Sequence, residues 1–409
     1  MTKKLLLAFM SKYGWMSLVF GTVALFMPMP FNYFGMMAIN YSFCLLGFSI
    51  ALIIHEWGHW IFTRLVGEYP KRIVIGTGHM LMRTYFFKSK LNLNSKFEGG
   101  YVMLNISDGK YYRLKTFVAA LGGPLVNIAI GIAVIIMVPF STDFSKTITF
   151  CLWFGYMQLL IGLANLLPLR RKINGFPMDF DGRIILNILL GKYKKEASSE
   201  AIDLCLEGDD NVAEHRYNEA LARFQECLQL CSESGPTLTC SLQFNIGLCY
   251  FNLGDYDKAL CCLKEVEDQL AMKEVEHLAG YLHNLYANIY LVQGDIEKAT
   301  VAGQQALHLL PEFDPIRHTW GCILVENEEW GRGEDILSPQ MDFDYVNSST
   351  LLTAMYLALV YQQQEKSKNE ERCWEFVQLH LAELNLVDKV IYDRVKLKLT
   401  GQWPDKCDH

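Results

Sequence analysis

The stretch that decides the fold spans residues 53–60 and reads Ile53-Ile54-His55-Glu56-Trp57-Gly58-His59-Trp60. It closes a run of 42 residues, from Tyr13 to Ile54, that contains no Asp, Glu, Lys, Arg or His. Because about 20 apolar residues cross a bilayer, the run is long enough for two membrane-spanning helices. Three ionisable side chains at the end of so apolar a segment require a partner such as a metal ion.

Four membrane-spanning helices are predicted in the first half of the chain. The uncharged run gives spans over about 12–29 and 35–62, separated by the two prolines of residues 27–30. Two further uncharged runs, Thr116–Thr142 and Thr147–Leu169, give the third and fourth spans. Lys and Arg are concentrated before the first span, between the second and third, and after the fourth. This asymmetry predicts a multi-pass protein of the cell membrane with both termini in the cytosol and with membrane lipid around the spans.

A small cytosolic β-sheet is predicted between the second and third spans. Strand character is found in Arg72–Ile75, Thr84–Phe87 and Tyr101–Leu104, with turns expected around Gly76–Gly78 and Asn92–Ser95. Such a sheet offers an edge to which an unwound substrate segment can add as a further strand.

The charge differs sharply between the two halves of the chain. Residues 1–190 contain 18 Lys and Arg against 7 Asp and Glu, whereas residues 191–409 contain 19 against 37. We therefore predict a membrane domain over 1–190, a linker over 191–199 and a helical domain over 200–409. No basic block with interleaved aromatic residues occurs, so nucleic acid is not an expected partner.

The second half repeats itself at a shift of 40 residues. Tyr250, Gly254 and Ala259 recur as Tyr290, Gly294 and Ala299. The pattern resembles the tetratricopeptide repeat and predicts an α-solenoid, although an unrelated helical domain is the alternative. A solenoid of this kind presents a concave surface for a protein or peptide ligand, and the acidic balance favours a basic one. The fold class is thus mostly α, with four spans, a small sheet insertion and helical repeats.

The two histidines of the opening stretch have the spacing of metal ligands. On a helix, His55 and His59 project from one face, so that both imidazoles can bind one Zn²⁺. Glu56 then lies beside the metal and can act as the catalytic base. A catalytic zinc site needs a third protein ligand.

Several elements together resemble the site-2 protease family of intramembrane zinc metalloproteases. They are His55-Glu56-Trp57-Gly58-His59, Gly99-Gly100-Tyr101-Val102, Gly123-Pro124-Leu125-Val126-Asn127, Asn165-Leu166-Leu167-Pro168 and Asp181-Gly182. The resemblance covers about residues 35–190. It implies that His55 and His59 are zinc ligands, that Glu56 is the catalytic base and that an aspartate is the third ligand.

The chain departs from the family pattern before that aspartate. Pro168 lies 13 residues before Asp181, whereas only a few residues usually separate the two elements, and Arg170–Gly175 is interpreted as an inserted basic loop. We predict Asp181 as the ligand, since the following Gly182 allows close backbone packing. Asp179 is the alternative.

Two amides in the apolar helices have two interpretations each. Asn127 and Asn165 can form interhelical hydrogen bonds, or they can bind the substrate backbone or the oxyanion, as the family suggests for Asn165. The structural role is favoured for Asn127, and both roles stay open for Asn165.

The predicted function is hydrolysis of peptide bonds in or near membrane-spanning segments of membrane-protein or peptide substrates, as a zinc-dependent metalloendopeptidase. The repeat domain would recruit a substrate or a regulator. The alternative is a catalytically inactive, protease-like membrane scaffold that acts through its repeat domain.

Overall fold

The structure is a computed structural model that describes residues 12–138, 146–173, 176–195, 197–231, 236–272 and 276–401. Its contacts divide the chain into two compact units. The first comprises Met1–Arg171 with Met178–Ser199, and the second comprises Lys172–Pro177 with Glu200–His409.

The first unit is built on four apolar helices. They are α1 (Lys12–Ala24), α2 (Phe31–Leu65), α3 (Tyr112–Met137) and α4 (Lys146–Asn165), and a short helix, α5 (Asp181–Leu189), follows them. Among the described residues, α2 and α3 are long and apolar enough to cross a membrane. Helices α1 and α4 contribute the shorter apolar stretches Gly14–Ala24 and Thr149–Asn165.

The ends of the first two helices differ from those predicted. Helix α1 ends at Ala24 rather than near residue 29, and α2 extends to Leu65 rather than to residue 62. Pro28 and Pro30 have no backbone N–H to continue a helix, so the chain turns there and α2 begins directly after Pro30.

Small residues let the apolar helices approach each other closely. A Cβ added to Gly58 of α2 would lie 2.6 Å from the carbonyl oxygen of Gly122 in α3. Polar contacts supplement this packing, because Trp153 of α4 donates from Nε1 to Asn40 Oδ1 of α2 at 3.0 Å. Backbone contact at small residues combined with a few interhelical hydrogen bonds is typical of helices packed in lipid.

The predicted sheet is present, and it contains a further chain reversal that the sequence does not indicate. Strands β1 (Arg72–Phe86) and β2 (Ser89–Met103) form one long hairpin that reverses at residues 87–88. The stretches predicted as turns, Gly76–Gly78 and Asn92–Ser95, lie within these strands. The hairpin nevertheless folds back on itself near them, because residues 72–75 pair in parallel with 90–93 and antiparallel with 100–103, and Gly76 and Gly78 have positive φ angles. The register also shifts at 75–77.

A second hairpin replaces the predicted basic loop. Arg170–Ile173 forms β3 and Phe176–Asp179 forms β4, and the two strands pair. Residues 170–173 of the inserted segment therefore have regular structure, while residues 174–175 lie outside the described part of the chain.

The second unit consists of helix pairs followed by one last helix. The pairs are α6 (Ser199–Ala213) with α7 (Tyr217–Leu230), α8 (Pro236–Asn252) with α9 (Tyr256–Glu267), α10 (Ala279–Gln293) with α11 (Ile296–Leu309), α12 (Asp314–Glu326) with α13 (Trp330–Leu337), and α14 (Ser348–Gln363) with α15 (Ser367–Leu379); the last helix is α16 (Leu386–Leu399).

The recurring residues have the same roles in consecutive pairs. Ala259 and Ala299 are fully buried, and Gly254 and Gly294 have φ angles of 81° and 82° at the turn inside each pair. Glycine adopts this left-handed conformation without the steric cost that a Cβ imposes. The C-terminal helical repeats predicted from the sequence are therefore confirmed.

The last helix packs across the ends of earlier ones. Arg394 of α16 donates to the carbonyl oxygens of Leu291 and Val292 at 2.6 Å each. Glu326, at the end of α12, accepts from Lys398 Nζ at 2.5 Å. Carbonyl groups in the last turn of a helix have no partner within that helix, so α16 satisfies them.

Burial of His318 in α12 predicts a pH-dependent stability of the helical repeats. Its Nε2 lies 2.9 Å from Thr353 Oγ1, and burial, which disfavours the charged imidazolium, lowers its pKa to about 4. The unfolded chain therefore binds a proton below pH 6.5 that the folded chain does not bind until about pH 4. Stability is thus complete above pH 6.5 and falls by roughly 3 kcal/mol as the pH drops to about 4.

The measurement is hydrogen exchange of α12 and α14 in the full chain between pH 4.5 and 7, corrected for intrinsic exchange. Carboxylates also contribute to the dependence, so His318→Gln is the control that isolates the histidine. We expect this variant to show a shallower slope, and an unchanged slope would contradict the assignment.

Candidate metal centre

Helix α2 presents two imidazoles from one buried face. His55 and His59 are 4% and 6% exposed, and their ring centroids lie 4.8 Å apart. One helical turn separates the residues, so the helix itself sets this spacing. Glu56 follows His55 directly and is also buried.

The two imidazoles converge with a carboxylate from a distant segment. Asp181 Oδ2 lies 3.0 Å from His55 Nε2 and 3.3 Å from His59 Nε2, and the two Nε2 atoms are 3.2 Å apart. In the described part of the chain these residues are the one group of three or more His, Cys, Asp and Glu residues close enough to hold a metal ion. Ligands about 2.0–2.1 Å from a tetrahedral zinc ion are themselves about 3.4 Å apart, so the triangle fits zinc with little expansion.

The Nδ1 atoms of both imidazoles, which point away from Asp181, form hydrogen bonds to oxygen acceptors. His55 Nδ1 lies 3.0 Å from Asn127 Oδ1, and His59 Nδ1 lies 2.8 Å from the carbonyl oxygen of Ala119. These oxygens only accept hydrogen bonds, so each Nδ1 carries the proton. The lone pairs of both Nε2 atoms therefore face the third ligand, as metal binding requires.

A glycine of α3 leaves space beside the two histidines. A Cβ on Gly123 would lie 2.5 Å from His59 Nε2 and 2.8 Å from His55 Nε2. Any side chain at this position would thus press on the ligand atoms. The missing Cβ is a second observation that fits a metal ion at this place.

Asp181 reaches the centre because α5 begins against the end of α4. Asp181 is the first residue of α5, and a Cβ on the following Gly182 would overlap the carbonyl oxygen of Leu166. The glycine therefore permits the close packing that the sequence suggests.

Asp179 is bound elsewhere. Its Oδ1 accepts from Arg170 Nε at 2.5 Å and lies 3.2 Å from Arg183 Nε, and its Oδ2 accepts from Arg170 Nη2 at 3.2 Å. Two guanidinium groups thus neutralise this carboxylate at the base of the β3–β4 hairpin. The geometry favours Asp181 over Asp179 as the third ligand.

The sheet approaches the centre at Gly100. A Cβ on this residue of β2 would lie 3.0 Å from Glu56 Oε1. The backbone of the strand therefore runs directly past the carboxylate that follows His55, and a larger residue at 100 would displace it.

The contacts of Asn127 are structural. Its Nδ2 donates to the carbonyl oxygen of Ala51 at 3.0 Å and to Gln158 Oε1 at 2.5 Å, while its Oδ1 faces His55. Both amide protons are used, so neither is left for a substrate or an oxyanion. These contacts agree with the interhelical role favoured from the sequence, and a substrate-binding role for Asn127 stays a prediction.

Asn165, the last residue of α4, donates from Nδ2 to the carbonyl oxygen of Ile161 in its own helix at 3.0 Å. This contact uses one of its two amide protons. Its substrate-binding role stays a prediction.

Sequence reasoning missed three supports of the centre. Ala119 acts through its backbone, which no side-chain pattern reports. Gly123 belongs to the Gly-Pro-Leu-Val-Asn element, whose sequence does not reveal its contact with the histidines, and Gln158 lies outside every motif quoted above. An amide within the apolar run of α4 is itself a signal, because polar side chains are costly in such a helix.

The arrangement defines a class of site: a buried two-histidine, one-carboxylate metal centre with an adjacent glutamate. Residues 43–143 match the model of peptidase family M50, the site-2 protease family, and residues 204–271 match the model of the tetratricopeptide repeat. The chain thus joins a region of peptidase family M50 to tetratricopeptide repeats, and the resemblance drawn from the sequence is confirmed. Asp181 lies beyond the residues that match the peptidase family.

One curated relative is similar to part of the chain. The BBSome complex member BBS4 of Bos taurus is 26% identical over 156 residues, which are 38% of this chain and 26% of that protein. The chain thus spans about a quarter of the length of this relative.

Substitution of the two neighbouring aspartates tests the ligand assignment. We expect Asp181→Asn to weaken zinc binding by more than about 100-fold, because a charged metal ligand is lost. Loss of a hydrogen bond to a ligand, by comparison, typically costs about 10- to 100-fold. Asp179→Asn is the matched control and should leave zinc affinity unchanged, since it removes only ion pairs to Arg170 and Arg183. Chelator competition on the purified chain measures both, and the reverse order of effects would establish Asp179 as the ligand.

Filling the space at Gly123 tests the geometry. Gly123→Ala should lower zinc affinity at least about tenfold, because the new methyl group presses on both Nε2 atoms. Gly155→Ala in α4 is the control, since its Cβ would meet the side chain of Ile135 at 3.1 Å and no ligand. Equal zinc affinity in the two variants would refute the predicted crowding.

Proposed function

We propose that this chain is an intramembrane zinc metalloprotease that hydrolyses peptide bonds in or near membrane-spanning segments. The observation that carries the proposal is the convergence of His55, His59 and Asp181 beside Glu56 in an apolar helix bundle. The match to peptidase family M50 supports the same reaction class.

The ligand set would be His55, His59 and Asp181. Zinc bound there would polarise the scissile carbonyl and lower the pKa of the attacking water. The donors fit this metal, because two imidazoles and one carboxylate leave a fourth position open.

Glu56 is the general base in this proposal. Its carboxylate takes a proton from the attacking water and returns it to the leaving amine, so that one group serves both steps of hydrolysis. Glu56 follows the ligand His55 directly in the sequence, so its carboxylate lies close to the metal ligands. Gly100 of β2 lies next to the same carboxylate.

The substrate would lie along β2 near Gly100. A membrane-spanning helix hides its amides in its own hydrogen bonds, so it must unwind before a peptide bond can be attacked. An extended segment can then form main-chain hydrogen bonds with a strand. The closeness of Gly100 to Glu56 supports this position for the scissile bond.

The four-span arrangement is part of the proposal. Large apolar side chains on the outer surfaces of these four helices, α1–α4, are strongly exposed, as expected for surfaces that contact lipid. Examples are Val19, Ile136, Met137 and Leu163, which are 56–80% exposed. The Lys and Arg asymmetry supports a cytosolic position for both termini. The ligands at the end of α2 would then be near the cytosolic face.

The repeat domain, residues 200–409, would recruit a protein or peptide, with residues 191–199 as the linker. Its helix pairs are of the kind that bind polypeptides, and its acidic balance favours a basic segment. The similarity to a protein described as a complex member supports a role in protein–protein interaction.

The central test of the proposal is Glu56→Gln. The variant should abolish cleavage and keep both the fold and most of the zinc affinity, because the amide cannot accept the proton. Cells that produce the variant should accumulate intact membrane proteins that cells with the unaltered chain cleave, as measured by quantitative membrane proteomics.

Glu68→Gln is the matched control. Glu68 follows α2 and pairs with Lys115, away from the metal ligands, so this variant should cleave normally. Undiminished proteolysis by Glu56→Gln would refute the mechanism, and a purified chain without stoichiometric zinc would favour the inactive scaffold instead.

A further inference from the structure

We infer that Gln158 is a positioning residue for the metal ligand His55 and acts through Asn127. The inference rests on the proposed function, because it concerns how the zinc centre is prepared. It assigns a role to a residue of α4 that does not touch the ligands.

Three helices are joined by one chain of polar side chains. Gln158 of α4 accepts through Oε1 from Asn127 Nδ2 of α3 at 2.5 Å, and Asn127 Oδ1 lies 3.0 Å from His55 Nδ1 of α2. Gln158 and Asn127 are fully buried, and His55 is 4% exposed. With no water to compete in such a place, the direction of each hydrogen bond is set by its neighbours.

The direction of this chain determines which nitrogen of His55 can bind a metal. Asn127 has two amide protons, and acceptors at Ala51 and Gln158 take both. Its Oδ1 must therefore face His55, which makes Nδ1 the protonated nitrogen and leaves Nε2 free for the metal. A reversed amide would present N–H to Nδ1, force the proton onto Nε2 and block the ligand atom.

The two histidines differ in how they are held. His59 is oriented by the backbone oxygen of Ala119, which substitution elsewhere in the chain does not remove. His55 depends on two side chains, Asn127 and Gln158. A change at Gln158 should therefore affect one ligand of the centre and spare the other.

The Nε2 atom of Gln158 helps to distinguish a positioning role for this residue from a purely structural one. Among the described residues, Gln158 Nε2 has no hydrogen-bond partner although it is buried. An apolar side chain of similar shape at 158 removes this unpaired N–H group but leaves one amide proton of Asn127 without an acceptor. The two effects on stability oppose each other, so the net change in folding stability should be small. The amide is thus expected to matter for the zinc centre and little for stability.

The experiment measures zinc affinity and thermal stability of the purified full chain in detergent. Zinc affinity is obtained by competition with a chromophoric chelator, and Co²⁺ replaces Zn²⁺ in a second series to report ligand geometry by absorption. We expect Gln158→Met to weaken zinc binding about tenfold, as other losses of an outer hydrogen bond do. Its melting temperature should stay unchanged while its Co²⁺ spectrum shifts.

Three further variants make the result specific. Gln158→Glu keeps the acceptor and should restore zinc affinity to near that of the unaltered chain. Asn127→Leu removes the connection, so adding Gln158→Met to it should cause no further loss. Asn40→Leu breaks the hydrogen bond to Trp153 between α2 and α4; it should lower the melting temperature and leave zinc affinity unchanged.

Two results would overturn the inference. Unchanged zinc affinity in Gln158→Met shows that the residue does not position His55, while the proposed function stands. A loss of affinity that parallels a loss of melting temperature in both Gln158→Met and Asn40→Leu shows a merely structural role. An unaltered chain that binds no zinc fails at an earlier step and overturns the proposed function itself.

Discussion

The structure depends on one constraint: ionisable side chains within an apolar helix bundle must have partners. His55, Glu56 and His59 lie together in α2, where they are buried, and isolated charges are expensive in such surroundings. Asp181, Asn127 and the carbonyl oxygen of Ala119 supply the partners. A bound divalent cation would complete the charge balance, and the donor geometry suits zinc.

This constraint explains the packing around the centre. The helices must approach closely enough for side chains from α2, α3 and α5 to meet at one point, and glycine makes that approach possible. Gly58 and Gly122 bring two helix backbones into contact, Gly123 leaves space at the ligand atoms, and Gly182 lets α5 begin against Leu166. Larger residues at these four glycine positions would move the metal-ligating side chains apart. The same glycines therefore affect both the helix packing and the geometry of the metal centre.

The local parts of the account could be read from the sequence, and the long-range parts could not. The helical spacing of His55 and His59 and the recurrence of Gly254 as Gly294 are short-range patterns with direct physical meaning. The choice between Asp179 and Asp181 depends on where Arg170 and Arg183 lie, which no spacing rule gives. The glycines at 76 and 78 mark the place where the hairpin folds back on itself, as the sequence suggests. The reversal at 87–88 has no such signal, because Phe87 adopts a φ of 51° there without being a glycine.

X-ray absorption spectroscopy at the zinc edge, on the purified full chain with its metal content measured, tests the central claim most directly. The account predicts one zinc per chain, bound by two imidazole nitrogens and a carboxylate oxygen at about 2.0–2.2 Å. The twelve cysteines of the chain make the alternative easy to recognise, because sulfur scatters at about 2.3 Å. A sulfur-bound zinc, or no bound zinc at all, would contradict the account.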